Sequence, residues 1–457
     1  MSASPDRTQA PEPGALRPFR VPGVHTRRLS NGLELHVVPL PRLPVVTAAF
    51  VFPSGGETGI PRAQAGRAAL AAQALEGGTR RRSGTALAEA LEAVGADVGV
   101  SAGWDSAVAS VSTLTDRWAE GMDLLAEMVL APSFPDAEVE RVRDQVLARI
   151  RQRSKDPSAL AADRSIGFYF AADEPYGRPV RGTEATIEGL GPSDLRDWVE
   201  RAYRPDGAGL VVAGDIDPDE AQAVLEPLVA GWEGRATIPE APAGRARHEE
   251  AAVHIVHRPG SVQSELRLGH PGAPRAIPDH PALVVANSVL GGTFGSRLNM
   301  NLRESRGFTY GVRSGFAFRR GPGPFSISTA VDTDVTADAV REAVGELRRY
   351  VAEGPSEDEV RAARDYIAGV FPLRLETTGG VAMRVAELLV HDLPDDAWTR
   401  YREDIRAVDA NAAHAAVRRH MQPDRLVCVV VGDAEKIAPG LEALELGPVT
   451  VHRDEAP

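Results

Sequence analysis

Histidine and cysteine, two side chains typical of metal sites and of catalysis, number 11 and one among the 457 residues of this chain. His254 and His257 have the H-x-x-H spacing of a metal site. They lie in the apolar segment AAVHIVH, which is typical of a β-strand, and residues three apart in a strand point to opposite faces. A shared metal ion is therefore not expected there. A structural or solvent-exposed role is expected for His270, His280, His391, His414 and His420.

Two further patterns that suggest catalysis or ligand binding have simpler explanations. Cys428 lies within the run LVCVVV, where a small buried core residue is expected. The glycine-rich segment 288–299, SVLGGTFGSRLN, lacks the G-x-x-x-x-G-K-[ST] arrangement of a phosphate-binding loop. Its glycines are expected to permit a tight turn and the close approach of a peptide.

Composition and charge exclude several classes of protein. The chain has 51 Lys and Arg against 64 Asp and Glu, a net charge of −13, which argues against nucleic acid as the main partner. Its apolar runs fall short of the roughly 20 residues needed to cross a bilayer, so no membrane partner is expected. The N-terminus shows no secretory signal, so a cytoplasmic location is expected.

The chain contains one internal repeat. YRPDGAGLVVAGDI at 203–216 matches MQPDRLVCVVVGDA at 421–434 with an offset of 218 residues. The helical segments 138–146 and 359–367 are also similar at nearly that offset. Two homologous halves of about 200 residues each are therefore predicted.

The domain boundaries follow from the repeat and from a segment rich in Pro, Ala and charge between the halves, ATIPEAPAGRARHEE. The predicted organisation is a flexible N-terminal tail at 1–24, a first half at 25–235, a linker at 236–250, a second half at 251–450 and a C-terminal tail at 451–457.

Within each half, strand-like and helix-like segments are grouped rather than alternating. Apolar runs such as LELHVV and VVTAAFVF are typical of strands, and Asn31-Gly32 predicts a hairpin turn. Helical spacing is found at 85–94, 116–130 and 136–154. This order predicts an α+β fold in which each half is a mostly antiparallel sheet with helices packed on one face.

Several segments in a fixed order resemble the pitrilysin/insulinase family of zinc peptidases. They are LSNGLELHVVPLPRLPVVTAAFVFPSGGETG, a helix ending in GGT, PYGRPVRGT at 175–183, and LGGTFGSRLNMNLRESRGFTYGV in the second half. The resemblance covers nearly the whole chain. It implies a helix that carries the inverted H-x-x-E-H motif, whose histidines bind zinc and whose glutamate activates the metal-bound water.

At the positions that this resemblance assigns to zinc chemistry, the side chains of this chain cannot bind zinc or activate water. Aligned on the Gly-Thr pair, the two histidine positions are Ala69 and Gln73, and the general-base position is Ala72. The remaining carboxylate-ligand position is Arg149, whose charge would repel a metal ion. A shift of the alignment does not restore the site, because no histidine occurs between His36 and His248. The resemblance therefore implies neither a metal nor another cofactor in this chain.

A second family feature is retained. Arg303 and Tyr310 match the family's R-x6-Y pair, whose guanidinium and phenol stabilise negative charge on the reacting oxygen, while Arg306 does not match. Without the resemblance, Arg303 would be a solvated helix residue and Tyr310 a strand core residue. With it, both are expected to stabilise the transition state in the active site of a partner.

The resemblance thus favours a non-catalytic subunit of a heterodimeric zinc peptidase, inactive alone. Its partner would be a catalytic homologue that carries H-x-x-E-H and zinc, and the two chains would enclose a chamber for extended or unfolded peptides. One alternative is a structural or binding subunit without a role in proteolysis, similar to the core proteins of respiratory cytochrome complexes. An autonomous hydrolase is the least favoured, because no G-x-S-x-G elbow occurs.

Overall fold

The computed structural model describes residue 14 and residues 17–453, which form two six-stranded mixed sheets and fifteen α-helices. The first sheet has the strand order β1-β2-β6-β3-β5-β4, and β2 pairs with β6 in parallel while the other neighbours are antiparallel. The strands are β1 His25–Arg28, β2 Glu34–Pro39, β3 Val45–Phe52, β4 Asp97–Ala102, β5 Ala107–Leu114 and β6 Gly209–Gly214. The helices of this half are α1 Arg67–Ala74, α2 Gly84–Ala93, α3 Trp118–Leu130, α4 Asp136–Lys155, α5 Pro157–Tyr169, α6 Glu184–Glu188, α7 Pro192–Ala202 and α8 Pro218–Val229.

The second sheet repeats this plan with the order β12-β7-β11-β8-β10-β9, except that its edge strand β12 pairs in parallel with β7. Its strands are β7 Ala252–His257, β8 Gln263–Pro271, β9 Val312–Phe316, β10 Pro324–Asp332, β11 Val427–Gly432 and β12 Val449–His452. The helices are α9 His280–Asn287, α10 Thr336–Glu353, α11 Glu357–Val370, α12 Thr378–His391, α13 Ala397–Ala407, α14 Ala410–His420 and α15 Ala434–Glu442. Two π-helical segments, Ser288–Gly292 and Asn299–Ser305, follow α9.

The turn and two of the helices that were predicted from local sequence patterns are present in the structure. Gly32 has a φ of +90° and the Asn31 side chain accepts a hydrogen bond from the Leu33 N–H, so the predicted Asn-Gly turn joins β1 to β2. The predicted helix at 85–94 is α2, whose N-cap Ser83 accepts from the Ala86 N–H. The helix predicted at 136–154 is α4, which extends one residue further, to Lys155.

The predicted α+β class is confirmed, and the structure adds a helix on the second face of each sheet. The helix α12 of the second half packs on β3 and β6, and the helix α5 of the first half packs on β8 and β11. A helix of each half thus covers one face of the other half's sheet. This apolar face is therefore buried only when both halves have folded.

Each sheet has a glycine where the crossing helix lies closest. A Cβ at Gly209 of β6 would lie 2.3 Å from Leu389 of α12, and one at Gly269 of β8 would lie 2.7 Å from the ring of Tyr169 of α5. Both distances are below van der Waals contact. A side chain at either glycine would therefore clash unless Leu389 or Tyr169 moved.

A buried polar cluster also joins the halves. Asp105 of the β4–β5 turn accepts hydrogen bonds from the Tyr176 hydroxyl at 2.7 Å and from the Arg320 N–H at 2.9 Å. The Tyr176 oxygen in turn accepts from the Gly321 N–H at 3.1 Å, and the Arg319 guanidinium lies 4.6 Å from the Tyr176 ring centroid. These contacts hold the β9–β10 turn of the second half against the first half.

Parts of the predicted tails and linker pack against the rest of the chain. Most of the predicted N-terminal tail lies outside the described residues, but Phe19 packs edge-on against Phe371 of the second half at 6.3 Å. The linker contains no regular helix or strand, and Arg245 pairs with Glu174 at 2.9 Å. The strand β12 ends at His452, inside the predicted C-terminal tail, because it pairs in parallel with β7.

Candidate functional site

The helix α1 places the residues of the lost zinc motif together. Ala69 and Ala72 are buried, and Gln73 is half-buried. The neighbouring helix α4 brings Arg149 to the same place, where its Nη1 donates a hydrogen bond to Gln73 Oε1 at 3.0 Å. The sequence alignment assigned these same two positions, on separate helices, to ligands of one metal.

The side chains at this site do not fit zinc. Two methyl groups provide no electron pairs, and the Gln73 carbonyl already accepts from a guanidinium. A permanently charged Arg149 next to Gln73 would repel a divalent cation. These side chains therefore support no catalytic step through a metal at α1, and the Gln73–Arg149 hydrogen bond simply links α1 to α4.

A buried carboxylate anchors the start of α1. Glu57 is 1% exposed, and it accepts hydrogen bonds from the N–H groups of Gly66 at 3.1 Å, Ala68 at 2.9 Å and Ala69 at 3.2 Å. Burial raises the pKa of Glu57 to about 7, although these N–H groups and the Arg178 charge favour the ionised form. Glu57 thus satisfies the free N–H groups at the helix N-terminus and keeps the helix in place without any metal.

In the second half, Arg303 lies on the π-helical segment Asn299–Ser305. Its guanidinium carbon stacks 3.8 Å from the ring centroid of Phe294, and its Nη1 pairs with Glu304 at 2.7 Å. Phe294 is 68% exposed, which is unusual for a large apolar side chain. The aromatic ring supports the guanidinium by a cation–π contact and restricts its orientation.

Tyr310 lies on the loop between this segment and β9, with its side chain 98% exposed. The loop itself is held firmly. The Gly311 N–H donates to Thr309 Oγ1 at 3.1 Å, and Thr329 Oγ1 of β10 lies 2.9 Å from Thr309 Oγ1 and 3.0 Å from the Gly311 carbonyl. The sequence-based alternative of a strand core residue is wrong for Tyr310, since β9 begins two residues later and the ring is in solvent.

A buried amide connects the segments that carry Arg303 and Tyr310. Asn299 Nδ2 donates to the Val312 carbonyl at 2.7 Å, and the Val312 N–H donates to Asn299 Oδ1 at 3.1 Å. Asn299 also donates to the Thr293 carbonyl at 3.1 Å, next to Phe294. Among the described residues no hydrogen bond joins Arg303 to Tyr310. The two side chains therefore lie on one scaffold, the segment 293–312 that Asn299 connects, but are not bonded to each other.

The histidines contain one arrangement that the sequence did not predict. His254 does not share a site with His257, as expected for a strand, since His257 Nδ1 accepts from the Ala434 N–H at 3.1 Å. Instead His254 contacts His452 at 3.1 Å and His248 at 3.0 Å, one through each ring nitrogen. These bonds leave on opposite sides of the ring, and no group of three or more potential ligands within the described residues has the arrangement of a metal site.

Comparison with known proteins identifies the family. Residues 45–184 match the family model described as insulinase (peptidase family M16), and residues 190–367 match the model described as the peptidase M16 inactive domain. The chain belongs to the pitrilysin/insulinase family. Together with the side chains at Ala69, Ala72, Gln73 and Arg149, the matches support a non-catalytic form of the peptidase M16 fold.

The relatives of this family member include proteins with and without a peptidase description. A protein described as an uncharacterized zinc protease from Mycobacterium leprae is 28% identical over 370 residues, covering 80% of this chain and 82% of the relative. A non-peptidase homolog from Helicobacter pylori is 22% identical over 400 residues, covering 86% and 90%. The crystal structure of a peptidase M16 inactive domain from Pseudomonas fluorescens superposes with a TM-score of 0.84 at 26% identity, covering 90% of this chain and 98% of that one.

Within the described part of the chain, no helix combines the length and apolar character needed to cross a bilayer.

Proposed function

We propose that this chain is the non-catalytic subunit of a heterodimeric zinc peptidase of the pitrilysin/insulinase type. Its partner is a homologue with an intact H-x-x-E-H helix, which supplies zinc and the general base. This chain supplies Arg303 and Tyr310 to the partner's active site and forms one wall of a chamber for extended peptides. The proposal places the complex in the cytoplasm.

The observation that supports this role is the presentation of Tyr310. A phenol that is 98% exposed normally belongs to a mobile loop, but this loop is fixed by Thr309, Thr329 and Gly311. The Tyr310 hydroxyl is therefore available to a group outside the chain. The exposed apolar side chains of Phe294 and Met300 lie on the same scaffold, and exposed apolar groups that cluster in this way mark interaction surfaces.

The two polar groups have the chemistry for stabilising a reacting carbonyl. Hydrolysis of a peptide bond develops negative charge on the carbonyl oxygen, and a phenol O–H and a guanidinium N–H are donors to that charge. The cation–π contact with Phe294 restricts the Arg303 side chain before the substrate arrives. Preorganised donors of this kind lose little free energy to reorientation in the transition state.

The neighbouring strand offers a place for the peptide backbone. β9 is an edge strand of the second sheet and begins at Val312, two residues after Tyr310. An extended peptide can add to such an edge through main-chain hydrogen bonds. In the proposed complex, β9 would hold the peptide beside Tyr310 with little dependence on its sequence.

The test is co-expression with an H-x-x-E-H homologue and measurement of kcat and KM on an unfolded peptide. Tyr310→Phe removes only the hydroxyl, so kcat should fall by about 10²- to 10³-fold, the usual loss for one such donor. Zinc content and assembly of the complex should remain unchanged. Tyr366→Phe is the matched control, because Tyr366 is also exposed and lies on α11, outside the segment 293–312 that carries Arg303 and Tyr310.

Arg303 has its own matched control in Arg306, which pairs with Glu342 at 2.7 Å and does not contact Phe294. Arg303→Gln should lower kcat, and Arg306→Gln should not. Wild-type turnover in both the Tyr310→Phe and the Arg303→Gln complexes would rule out the shared active site.

The similarity to a non-peptidase homolog favours one second candidate, a structural or binding subunit with no role in proteolysis. For such a subunit, the Tyr310→Phe complex assembles normally and turnover is unaffected. Removing the apolar side chains, as in Phe294→Ser with Met300→Ser, would weaken assembly under either function. Turnover in Tyr310→Phe therefore distinguishes the two candidates.

A further inference from the structure

Two buried histidines occupy equivalent places in the two halves. His36 pairs with Val211 across β2 and β6, and His254 pairs with Val429 across β7 and β11. Both pairs are related by the same offset of 218 residues that relates the repeated segments. Each histidine lies on the sheet face that is covered by the crossing helix of the other half.

In the second half this place is completely filled. The ring of His254 stacks on Phe168 of α5 with the centroids 4.1 Å apart. His254 Nδ1 contacts His452 on the edge strand β12, and its Nε2 contacts His248 of the linker. Both nitrogens are therefore bonded, and an aromatic ring closes the space beside them.

In the first half the same place opens into a cavity of about 620 Å³ between β2 and α12. His36 Nδ1 lies 3.1 Å from Thr26 Oγ1 on the edge strand β1. His36 is only 7% exposed, but its Nε2 has no hydrogen-bond partner among the described residues. The first half thus has no counterpart of His248, which contacts His254 Nε2 in the second half. The cavity volume lies within the roughly 300–1,000 Å³ that is typical of small-molecule sites.

The charges around the cavity have an acidic excess. The two arginines in its wall are already paired, Arg28 with Asp206 at 3.6 Å and Arg384 with Glu387 at 2.5 Å. Glu34 Oε2 lies 3.7 Å from His36 Nε2, beyond hydrogen-bond distance. Three carboxylates line the cavity without a Lys or Arg partner in the described chain: Glu34, Asp392 and Asp395.

The opposite wall is mostly apolar, and its one cation among the described residues, Arg384, lies over the Trp398 ring with 4.9 Å between the guanidinium carbon and the ring centroid. Val385 and Leu388 of α12 and Trp398 of α13 are buried side chains that face the cavity. An occupant therefore meets the His36 ring nitrogen and Glu34 on the β2 side, and hydrocarbon flanked by Asp392 and Asp395 on the side of α12 and α13. Such surroundings select a molecule that is cationic at one end and apolar at the other.

We propose that this cavity binds a small, planar organic cation, an amidinium or guanidinium on an apolar body, whose N–H group donates to His36 Nε2. The apolar body takes the place that Phe168 has beside His254, and the charge lies near Glu34 and Asp395.

The hydrogen-bonding pattern of His36 is consistent with a cationic donor. Burial lowers the pKa of His36, while Glu34 and Asp395 oppose that shift, so the ring is neutral near pH 7. Thr26 Oγ1 can either donate to or accept from Nδ1, and when Nδ1–H donates to it the Nε2 lone pair is free for an N–H donor. A carboxylate ligand would find no donor in that tautomer and would be repelled by Glu34.

The site is separate from the proposed peptidase role. No residue that lines the cavity belongs to segment 288–312, to α1 or to α4. Binding can therefore be measured on the isolated full-length chain, and its failure would leave the heterodimer proposal untouched.

The experiment titrates the full chain with three isosteric probes and measures binding by calorimetry or ligand-observed NMR. Benzamidine is planar and cationic, benzamide is neutral and benzoate is anionic. Benzamidine should bind more tightly than benzamide, and benzoate should not bind. Glu34→Gln combined with Asp395→Asn should weaken benzamidine binding by about tenfold, because both attractive charges are removed.

Two further variants control for charge and for location. Glu220→Gln with Asp424→Asn changes the same residue types at exposed places outside the cavity and should leave binding unchanged. Leu388→Phe adds volume to the cavity wall and should abolish binding, while thermal unfolding shows that the chain remains folded. The proposal is overturned if benzamidine does not bind, if benzoate binds as tightly, or if Leu388→Phe binds like the wild type.

Discussion

Replacing Glu57 with glutamine should change how the stability of this protein depends on pH. In the folded chain the pKa of Glu57 is raised to about 7 by burial, against a reference value of 4.5. A carboxyl with a raised folded pKa contributes stability that is fully present below the unfolded pKa. That contribution is lost as the pH rises through the folded pKa, because ionising Glu57 in the core costs free energy.

The size of the effect follows from the two pKa values. A separation of about 2.5 units corresponds to about 3 kcal/mol of unfolding free energy, lost by the wild type between about pH 4.5 and pH 8. A glutamine side chain does not titrate, so the variant Glu57→Gln has no such loss. The variant also leaves the Gly66 N–H without a carboxylate oxygen, which costs about 1–3 kcal/mol at every pH.

The assay is urea unfolding followed by circular dichroism, with Glu57→Gln and wild type compared at several pH values. The quantity of interest is the difference in their unfolding free energies, in which the titration of every other group cancels. This difference should move by about 3 kcal/mol in favour of the variant from acidic to alkaline pH. Glu92→Gln, at an exposed glutamate on α2, is the control for the substitution itself.

Two results would refute this reasoning. A difference that is constant with pH would mean that Glu57 titrates alike in the folded and unfolded chains. A difference that moves in favour of the wild type at alkaline pH would mean that the three N–H groups and Arg178 outweigh burial. In that case Glu57 is a stably ionised cap of α1.

Three other predictions concern the stability of the chain at acidic pH, the stability of the contact between the halves, and the contribution of Phe294 to turnover. Burial lowers the pKa of His270 to about 4, so the stability that depends on its neutral ring is present above about pH 6.5 and is lost toward pH 4, by about 3 kcal/mol. His270→Gln should reduce this acid loss in urea unfolding. Asp105→Asn replaces a carboxylate oxygen that accepts from Tyr176 or Arg320, and should lower the unfolding free energy by about 2–4 kcal/mol, measured by the same method. Phe294→Leu removes the aromatic ring below Arg303, and should lower kcat of the proposed complex by about threefold, less than Tyr310→Phe, without altering its zinc content.

Some of the site was predictable because it depends on residue identity at a given spacing. The loss of the zinc motif is visible at Ala69, Ala72 and Gln73, since no fold can give a methyl group an electron pair. The match of Arg149 to the third ligand position needed only the family pattern, and the contact with Gln73 is consistent with it.

Other features of the site also have a signal in the sequence. His36 and His254 are related by the offset of 218 residues that was recognised in other segments. The offset predicts that they are equivalent. It does not predict that one is enclosed and the other borders a cavity, because that difference arises from His248, His452 and Phe168, which come together only through the fold.

The sequence by itself determined the two halves, their α+β class, the Asn31-Gly32 turn and the absence of zinc ligands from α1. These depend on local periodicity, on turn chemistry and on the chemical nature of single side chains. Only the tertiary structure decided that α5 and α12 cross between the halves, that Tyr310 is exposed, and that His36 faces a cavity. Burial and contact are set by segments that lie far apart in the chain, so their packing becomes defined only when both halves have folded together.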